Sequence, residues 1–253
     1  MTSKRWIGRL TAIGVCAGAT LLANGAATAQ TATEQSDSSA PIVVEYFMSQ
    51  SCSSCMAATD FFGQLAGRDD IVALSWHVDY WNILNTKKGR WVDPYSSADY
   101  TDRQRRYNKT IRNRSSVYTP QMVIAGASEA SGRAPGKVVS LIDAAKAEQP
   151  VKITAKTDVD MGMVFEISKS DEGGNAYLIT LMPEITTKVT QGENAGHIYT
   201  DVNVVTGIRP LGLVRKTGTQ INAPIPIDGE HCALIIQEPK QGRIITATYC
   251  PVP

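Results

Sequence analysis

The chain has 253 residues, of which 43% are hydrophobic and 19% charged, and its formal net charge is +1. A balance this close to neutral gives no argument for binding nucleic acid or an acidic membrane surface. The length allows one large domain or two small ones, each with a hydrophobic core of its own.

Residues 1–29 have the pattern of a secretory signal peptide. A basic start is followed by an apolar stretch from Leu10 to Leu22 and by small residues up to Ala29. The apolar stretch is too short to span a bilayer, so we expect cleavage after Ala29 and no stable membrane anchor. Cleavage removes Cys16 and three basic residues, which lowers the net charge to −2. The mature protein is therefore predicted to be periplasmic or secreted.

The next segments predict a short α/β unit. Residues 30–40 are small and polar, which is typical of a flexible lead-in. The apolar run Ile42–Met48 predicts a buried strand, and apolar residues at helical spacing predict a helix over residues 53–65. A second apolar run, residues 71–78, predicts another strand.

An aromatic-rich segment, about residues 79–118, interrupts this pattern and is interpreted as an insertion. Residues 96–99 resemble a capping box that opens a helix. One face of this helix carries Tyr100, Gln104, Tyr107 and Ile111. Its basic residues, Arg103 among them, are expected on solvated faces. The alternative is a recognition lid over the cysteines described below.

The rest of the chain is predicted to be mostly strand. Thr119 and Pro120 lead into a strand over residues 121–125, a hairpin partner is expected near 128–131, and residues 135–149 have the pattern of an amphipathic helix. Beyond residue 150, β-branched or alternating runs separated by turn residues predict a C-terminal all-β, sandwich-like domain. These runs are 151–157, 162–168, 176–183, 197–205, 221–227, 231–237 and 243–249.

Cys52 and Cys55 lie at the start of the first predicted helix, where free backbone N–H groups and the helix dipole stabilise a thiolate. A redox pair, half of a metal site and a fixed structural disulfide are the three hypotheses. A loop this short gains only about 2 kcal/mol from a disulfide, and a zinc site lacks its second pair of ligands. The redox pair is therefore favoured, with Cys52 projecting to solvent as the nucleophile and Cys55 as the resolving cysteine.

We assign Ser53 and Ser54, which separate the two cysteines, to substrate binding together with Thr119. The expected partners are protein thiols or disulfides and an unidentified redox partner. No cofactor, no metal and no nucleic acid are expected.

Three motifs, in order, resemble a known family. They are SQSCSSC at residues 49–55, HVDYW at 77–81 and SVYTPQMV at 116–123. They look like the secreted family called domain of unknown function 1223, and the order strand, CxxC, helix, Thr-Pro is similar to the thioredoxin-like superfamily. The resemblance implies a thioredoxin-like α/β domain at residues 41–149, followed by the β-rich domain at 150–253. It also implies thiol-disulfide redox activity and a cis Pro120 beside the cysteines, although most X-Pro bonds are trans.

Glu45 is a polar residue inside an apolar strand, where a carboxylate is costly unless it is paired or functional. The resemblance implies that it matches the buried acid that handles protons for the second cysteine. Glu45 lies seven residues before Cys52, however, one more than in the usual thioredoxin pattern. A partly exposed carboxylate at the strand end is the alternative.

For the remaining polar residues and cysteines, a structural role is weighed against a functional one. His77 and Asp79 share one face of a strand, and a hydrogen-bonded pair between them is favoured over a copper site of His77 with the cysteines. Cys232 and Cys250 flank two strands and are expected to form a cross-strand disulfide, with a second redox pair as the alternative. Residues 193–197 fit either a turn or a binding loop.

These observations together predict a thiol-disulfide oxidoreductase. The alternatives are a thioredoxin-like copper carrier and a non-catalytic binding module with a fixed CxxC disulfide.

Overall fold

The structure is a computed structural model that describes residues 40–146, 151–158, 160–227 and 229–251. The predicted signal peptide and residues 30–39 lie outside the described residues. The helices are α1 (Met56–Ala66), α2 (Ala98–Ile111) and α3 (Pro135–Lys146), with 3-10 turns at Ser53–Cys55 and Pro239–Gln241. The strands are β1 (Ile42–Met48), β2 (Ile71–His77), β3 (Gln121–Ile124), β4 (Ser128–Ser131), β5 (Ile153–Asp158), β6 (Gly162–Ile167), β7 (Gly174–Lys188), β8 (Ile198–Val214), β9 (Thr219–Ala223), β10 (His231–Gln237) and β11 (Ile244–Tyr249).

A mixed sheet of eight strands, in the order β11-β10-β7-β8-β2-β1-β3-β4, forms the centre of the fold. β1 runs parallel to β2 and antiparallel to β3. β2 and β8 are parallel neighbours and pair at Ser75 and Val204. A second, three-stranded antiparallel sheet is formed by β5, β6 and β9.

Every residue of β1 and β2 is buried, because helices cover both faces of the sheet at this point. Side chains alternate between the two faces along β1. Val44 and Tyr46 pack with α1, α3 and the two cysteines. Val43 and Phe47 pack on the other face with the tyrosines of α2. The cysteines and α2 therefore lie on opposite faces of the sheet.

The local signals for helix ends agree with the structure. The segment predicted as a helix from residue 53 begins as a 3-10 turn and continues as α1. Gly67 ends α1, where its N–H donates to the Gly63 carbonyl at 3.2 Å and the Arg68 N–H donates to the Leu65 carbonyl at 3.1 Å. Ser97 is the N-cap of α2 and its Oγ accepts a hydrogen bond from the Asp99 N–H at 3.2 Å.

The C-terminal strands do not form a separate sandwich. β7, β8, β10 and β11 extend the sheet that contains β1 to β4. The three-stranded sheet packs against one face of these strands, through a shared core that includes Phe165 and Leu234. Local periodicity predicts that a segment is a strand but does not name its neighbour, so the continuation of the sheet was missed. A domain boundary near residue 150 stays a prediction.

Among the helices of the described residues, none has the length and apolar character needed to cross a membrane.

Candidate functional site at Cys52 and Cys55

The two cysteines lie at the junction of β1 and α1, as predicted, and form a disulfide with their Cα atoms 5.4 Å apart. A tight turn carries the chain from the strand into the helix. In it the Cys52 N–H donates to the Ser49 carbonyl at 3.0 Å and the Cys55 N–H to the Cys52 carbonyl at 3.1 Å. The Oγ of Ser54 lies 3.3 Å from the Sγ of Cys52, and Ser53 is exposed.

Neither cysteine is exposed: both are 0% accessible. The prediction that Cys52 projects to solvent is therefore wrong for the disulfide form. The first part of the insertion, residues 79–97, packs beside the cysteine turn through its tryptophans, and we call it the cover segment. Trp91 packs against the core cluster that contains both cysteines. It is fixed there because its carbonyl accepts from Ser51 Oγ at 3.1 Å and its indole N–H donates to Gln50 Oε1 at 3.3 Å.

The peptide bond between Thr119 and Pro120 is cis, as the resemblance implied. Gly132 lies between Pro120 and Ala58 of α1, and its N–H donates to the Pro120 carbonyl at 3.0 Å. A Cβ on Gly132 would lie 2.9 Å from Ala58 Cβ and 3.2 Å from Pro120 Cβ, so only glycine fits at residue 132. The indole N–H of Trp81, in the cover segment, donates to Thr119 Oγ1 at 2.7 Å. The insertion therefore supplies both a cover for the cysteines and a contact to Thr119.

Glu45 lies on the opposite face of the sheet from the cysteines, with the side chains that pack on α2. Its Oε1 accepts from Arg103 Nε at 2.6 Å, and its Oε2 accepts from the Tyr107 hydroxyl. Glu45 is 0% and Arg103 4% exposed. Glu45 thus forms a buried ion pair with Arg103 on the face of the sheet away from Cys55, which does not fit the proton-transfer role that the resemblance implied. The prediction of a solvated Arg103 is also wrong.

Tyr46, six residues before Cys52, is the β1 side chain that reaches the cysteines, and sequence reasoning did not single it out. Its hydroxyl donates to the Cys55 carbonyl at 3.1 Å and lies 3.2 Å from Thr59 Oγ1. Burial raises the pKa of Tyr46 far above its usual value, so the hydroxyl stays a hydrogen-bond donor. The signal available in the sequence was the alternation of β1, which places residues 44 and 46 on one face.

His77 pairs with Asp93 instead of with Asp79. Its Nδ1 lies 2.9 Å from Asp93 Oδ2, and both side chains are completely buried. Asp79 accepts a hydrogen bond from Thr101 Oγ1 at 2.6 Å. Burial alone would lower the pKa of His77, but the charge of Asp93 and the hydrogen bond to it raise this pKa above its usual value.

Gln50, two residues before Cys52, forms hydrogen bonds through both its backbone and its side chain, in addition to the bond from Trp91. Its N–H donates to Asp93 Oδ2 at 2.8 Å and its Nε2 donates to Asp201 Oδ2 at 2.9 Å. Its carbonyl accepts from Asn194 Nδ2 at 2.8 Å, so the 193–197 turn supports the cysteine turn. We call Gln50, His77, Asp93 and Asp201 the polar cluster. Sequence reasoning missed Gln50, Asp93 and Asp201, which come from distant parts of the chain.

Cys232 and Cys250 form the predicted cross-strand disulfide, with Cα atoms 5.2 Å apart. The Cys250 N–H also donates to the Cys232 carbonyl at 2.8 Å. This disulfide joins the end of β11 to β10 and takes part in the core under the three-stranded sheet. Among the described residues, no three or more His, Cys, Asp or Glu side chains are grouped so that they could hold a metal ion.

The fold and the site define a mixed α/β protein with a disulfide-forming CxxC pair between a buried strand and a helix. This chain belongs to the family described as protein of unknown function (DUF1223), whose family model matches residues 43–237. No curated protein matches the sequence.

Two solved structures have a similar fold. One is the crystal structure of protein AGR_C_4864 from Agrobacterium tumefaciens, with a TM-score of 0.72 and 25% sequence identity over 84% of this chain and 94% of that one. The other is HBP35 of Porphyromonas gingivalis, with a TM-score of 0.56 and 11% identity over 84% of this chain and 75% of that one. At 11% identity the second likeness concerns the fold alone.

Proposed function

We propose that this protein is a periplasmic or secreted thiol-disulfide oxidoreductase that acts on protein thiols or disulfides through Cys52 and Cys55. The observation that carries the proposal is the Cys52–Cys55 disulfide between the buried strand β1 and the start of α1. A thiolate at this position is stabilised by the N-terminal end of the helix.

The proposed reaction exchanges one disulfide for another. A substrate thiolate attacks Cys52 Sγ, the bond to Cys55 breaks, and Cys55 leaves as a thiolate. A second substrate thiolate then attacks the substrate sulfur of the mixed disulfide and releases Cys52. The substrate dithiol loses two electrons and two protons, and the protein gains both. In the reverse direction Cys52 is the nucleophile and Cys55 resolves the mixed disulfide.

The neighbouring side chains have roles that fit this reaction. Ser54 Oγ lies within hydrogen-bond distance of Cys52 Sγ and can donate to a thiolate formed there. Ser53 is exposed and Thr119 is partly exposed, so both are able to contact a bound substrate. These two positions and Ser54 are the proposed substrate contacts.

Replacement of the resolving cysteine tests the proposal. In Cys55→Ser the mixed disulfide with a substrate has no internal thiol to resolve it. Covalent adducts through Cys52 should therefore accumulate with an unfolded protein whose cysteines carry a disulfide-linked thiol, because Cys52 attacks the protein sulfur and displaces that thiol. The matched control is the double variant Cys52→Ser/Cys55→Ser, which keeps the Cys232–Cys250 disulfide. Adducts at the same level in both variants, or in neither, would count against an oxidoreductase.

A second candidate is a binding module whose CxxC disulfide is fixed, and the complete burial of both cysteines favours it. Reduction of the native protein by dithiothreitol separates the two. An oxidoreductase should lose the Cys52–Cys55 disulfide well before it unfolds, whereas a fixed disulfide should persist until unfolding. The metal content of the same reduced sample tests the copper-carrier hypothesis.

A further inference from the structure

His77 and Asp201 each have one buried polar atom that is not accounted for. Within the part of the chain that the structure describes, His77 Nε2 and Asp201 Oδ1 have no hydrogen-bond partner. The opposite ends of both side chains are fixed, His77 Nδ1 by Asp93 and Asp201 Oδ2 by Gln50. A buried polar atom without a partner costs about 1–3 kcal/mol, so its retention calls for an explanation.

The two groups act on each other electrostatically. Burial raises the pKa of Asp201, and the positive charge of a protonated His77 opposes this rise. The charge of Asp201 in turn adds to that of Asp93 in favouring the protonated form of His77. Each charge therefore favours the charged form of the other group, so protonation of His77 and ionisation of Asp201 are linked.

Both residues are linked by hydrogen bonds to the cysteine turn, His77 through Asp93 and Asp201 directly to Gln50. Asp201 binds the side chain of Gln50, which begins the turn to Cys52. The charge of Asp201 also contributes to the raised pKa of Tyr46, whose hydroxyl bonds to the Cys55 carbonyl. Asp201 is therefore connected to both cysteines.

The titratable groups that face the pair come from every element packed around it. The cover segment contributes the Asp93 carboxylate, and the Tyr95 ring packs against His77 with centroids 5.7 Å apart. β1 contributes Tyr46 and β8 contributes Tyr199, whose raised pKa, due mainly to burial, also reflects the charges of Asp201 and Asp93. The surrounding carboxylates and phenols all disfavour a further negative charge. A thiolate formed on reduction of the disulfide would add such a charge, and uptake of a proton would offset it.

We propose that His77 and Asp201, which are linked to the cysteine turn through Asp93 and Gln50, hold an exchangeable proton and take it up when the Cys52–Cys55 disulfide is reduced. The inference rests on the proposed function. A substrate dithiol supplies two electrons and two protons. One proton goes to the Cys55 sulfur and the other to the His77–Asp201 pair, which leaves Cys52 as a thiolate. When the disulfide forms again, both protons are released. His77 and Asp201 are positioning residues, because they act on the sulfurs through Gln50, Tyr46 and their charge.

Nuclear magnetic resonance of the histidine side chains tests this linkage in the whole mature protein. The proposal predicts that the titration midpoint of His77 is higher in the reduced than in the oxidised protein by about half a pH unit or more, since the thiolate adds a nearby negative charge. His197 and His231 are exposed and serve as internal controls whose midpoints should not change. An unchanged His77 midpoint in a protein whose cysteines reduce and reoxidise normally would overturn the inference and leave the proposed function intact. If the cysteines show no redox couple, the proposed function itself fails.

A variant at Asp201 provides the second measurement. Asp201→Asn keeps an oxygen that can accept from Gln50 but removes the charge, so the His77 midpoint should fall and its shift on reduction should shrink. By reciprocity, the redox equilibrium constant with glutathione should also change with pH in a different way. The ratio of its values at pH 8 and pH 6 should differ between Asp201→Asn and the wild type by about threefold or more. Asp69→Asn is the matched control, because Asp69 is exposed in the turn before β2 and its charge is screened by solvent. Identical pH profiles for the two variants would contradict a role of Asp201, whatever their stability.

Discussion

Arg103 is buried, and its guanidinium contacts side chains from three strands of the large sheet. Its guanidinium bonds to Glu45 and Gln237 and lies over the ring of Trp76 at 5.0 Å from the centroid. The side chains that meet here come from α2, β1, β2 and β10, so a single residue connects the insertion to the middle of the sheet. A charge run on a helix is usually solvated, and sequence reasoning therefore assigned Arg103 to the surface.

Replacement of Arg103 should be far more costly than that of a neighbouring arginine. Arg103→Met leaves the Glu45 carboxylate buried without its counter-charge, which should lower the free energy of unfolding by about 3–5 kcal/mol. Urea unfolding monitored by circular dichroism measures the loss. The control is Arg105→Met, which removes an exposed ion pair with Asp102 and should cost about 1 kcal/mol or less. Equal losses in the two variants would show that the buried pair contributes nothing special.

The cover segment is the element that decides access to the cysteines. It is fixed to the cysteine turn through Trp91 and to Thr119 through Trp81. It contains little regular structure and is held by these contacts and by Asp93, which bonds to His77 and to the Gln50 N–H. Such segments open at a lower free energy than the sheet beneath them. Substrate access in the proposed reaction therefore requires the cover segment to move.

Loss of the Trp91 side chain should speed reduction of the Cys52–Cys55 disulfide in the native protein. If Trp91→Ala removes about 1.4 kcal/mol or more from the opening free energy, the rate of reduction by dithiothreitol should rise about tenfold or more. Mass spectrometry after alkylation of free thiols follows this rate. Val92→Ala is the matched control, since Val92 is 49% exposed and adjacent in the chain. A rate in Trp91→Ala no higher than in the control would mean that Trp91 does not limit access.

At the scale of the whole molecule, the large sheet joins both halves of the chain. The core on the α2 side combines Leu74 and Trp76 of β2 with Leu181 of β7 and Ile235 of β10. A fragment that ends at residue 149 would leave this apolar surface in water. The N-terminal strands thus depend on strands that follow much later in the sequence.

Truncation tests this dependence and the predicted boundary together. Residues 41–149 alone should fail to unfold cooperatively, because they lack the strands that cover β2, whereas residues 41–253 should show one cooperative transition. Thermal unfolding followed by circular dichroism distinguishes the two. A cooperative transition in the short fragment would establish the domain boundary that the sequence suggested.

Local features of the fold and the site could be predicted from the sequence, whereas contacts between residues far apart in the chain could not. Apolar runs and capping residues located β1, β2 and α2, and the CxxC spacing located the cysteines. The partners of Gln50 could not be found in this way, because Asp201 lies 151 residues away and no local pattern marks the contact. Strand neighbours are likewise a matter of tertiary packing, which is why the C-terminal strands were placed in a domain of their own.

The polar cluster has a consequence for biosynthesis. Cys52 and Cys55 leave the ribosome long before Asp201, which is required to fix Gln50. A nascent chain therefore contains both cysteines before the residue that fixes the Gln50 side chain exists. We expect the cysteine turn to reach its final, closed form only after β8 has been synthesised and has joined the sheet.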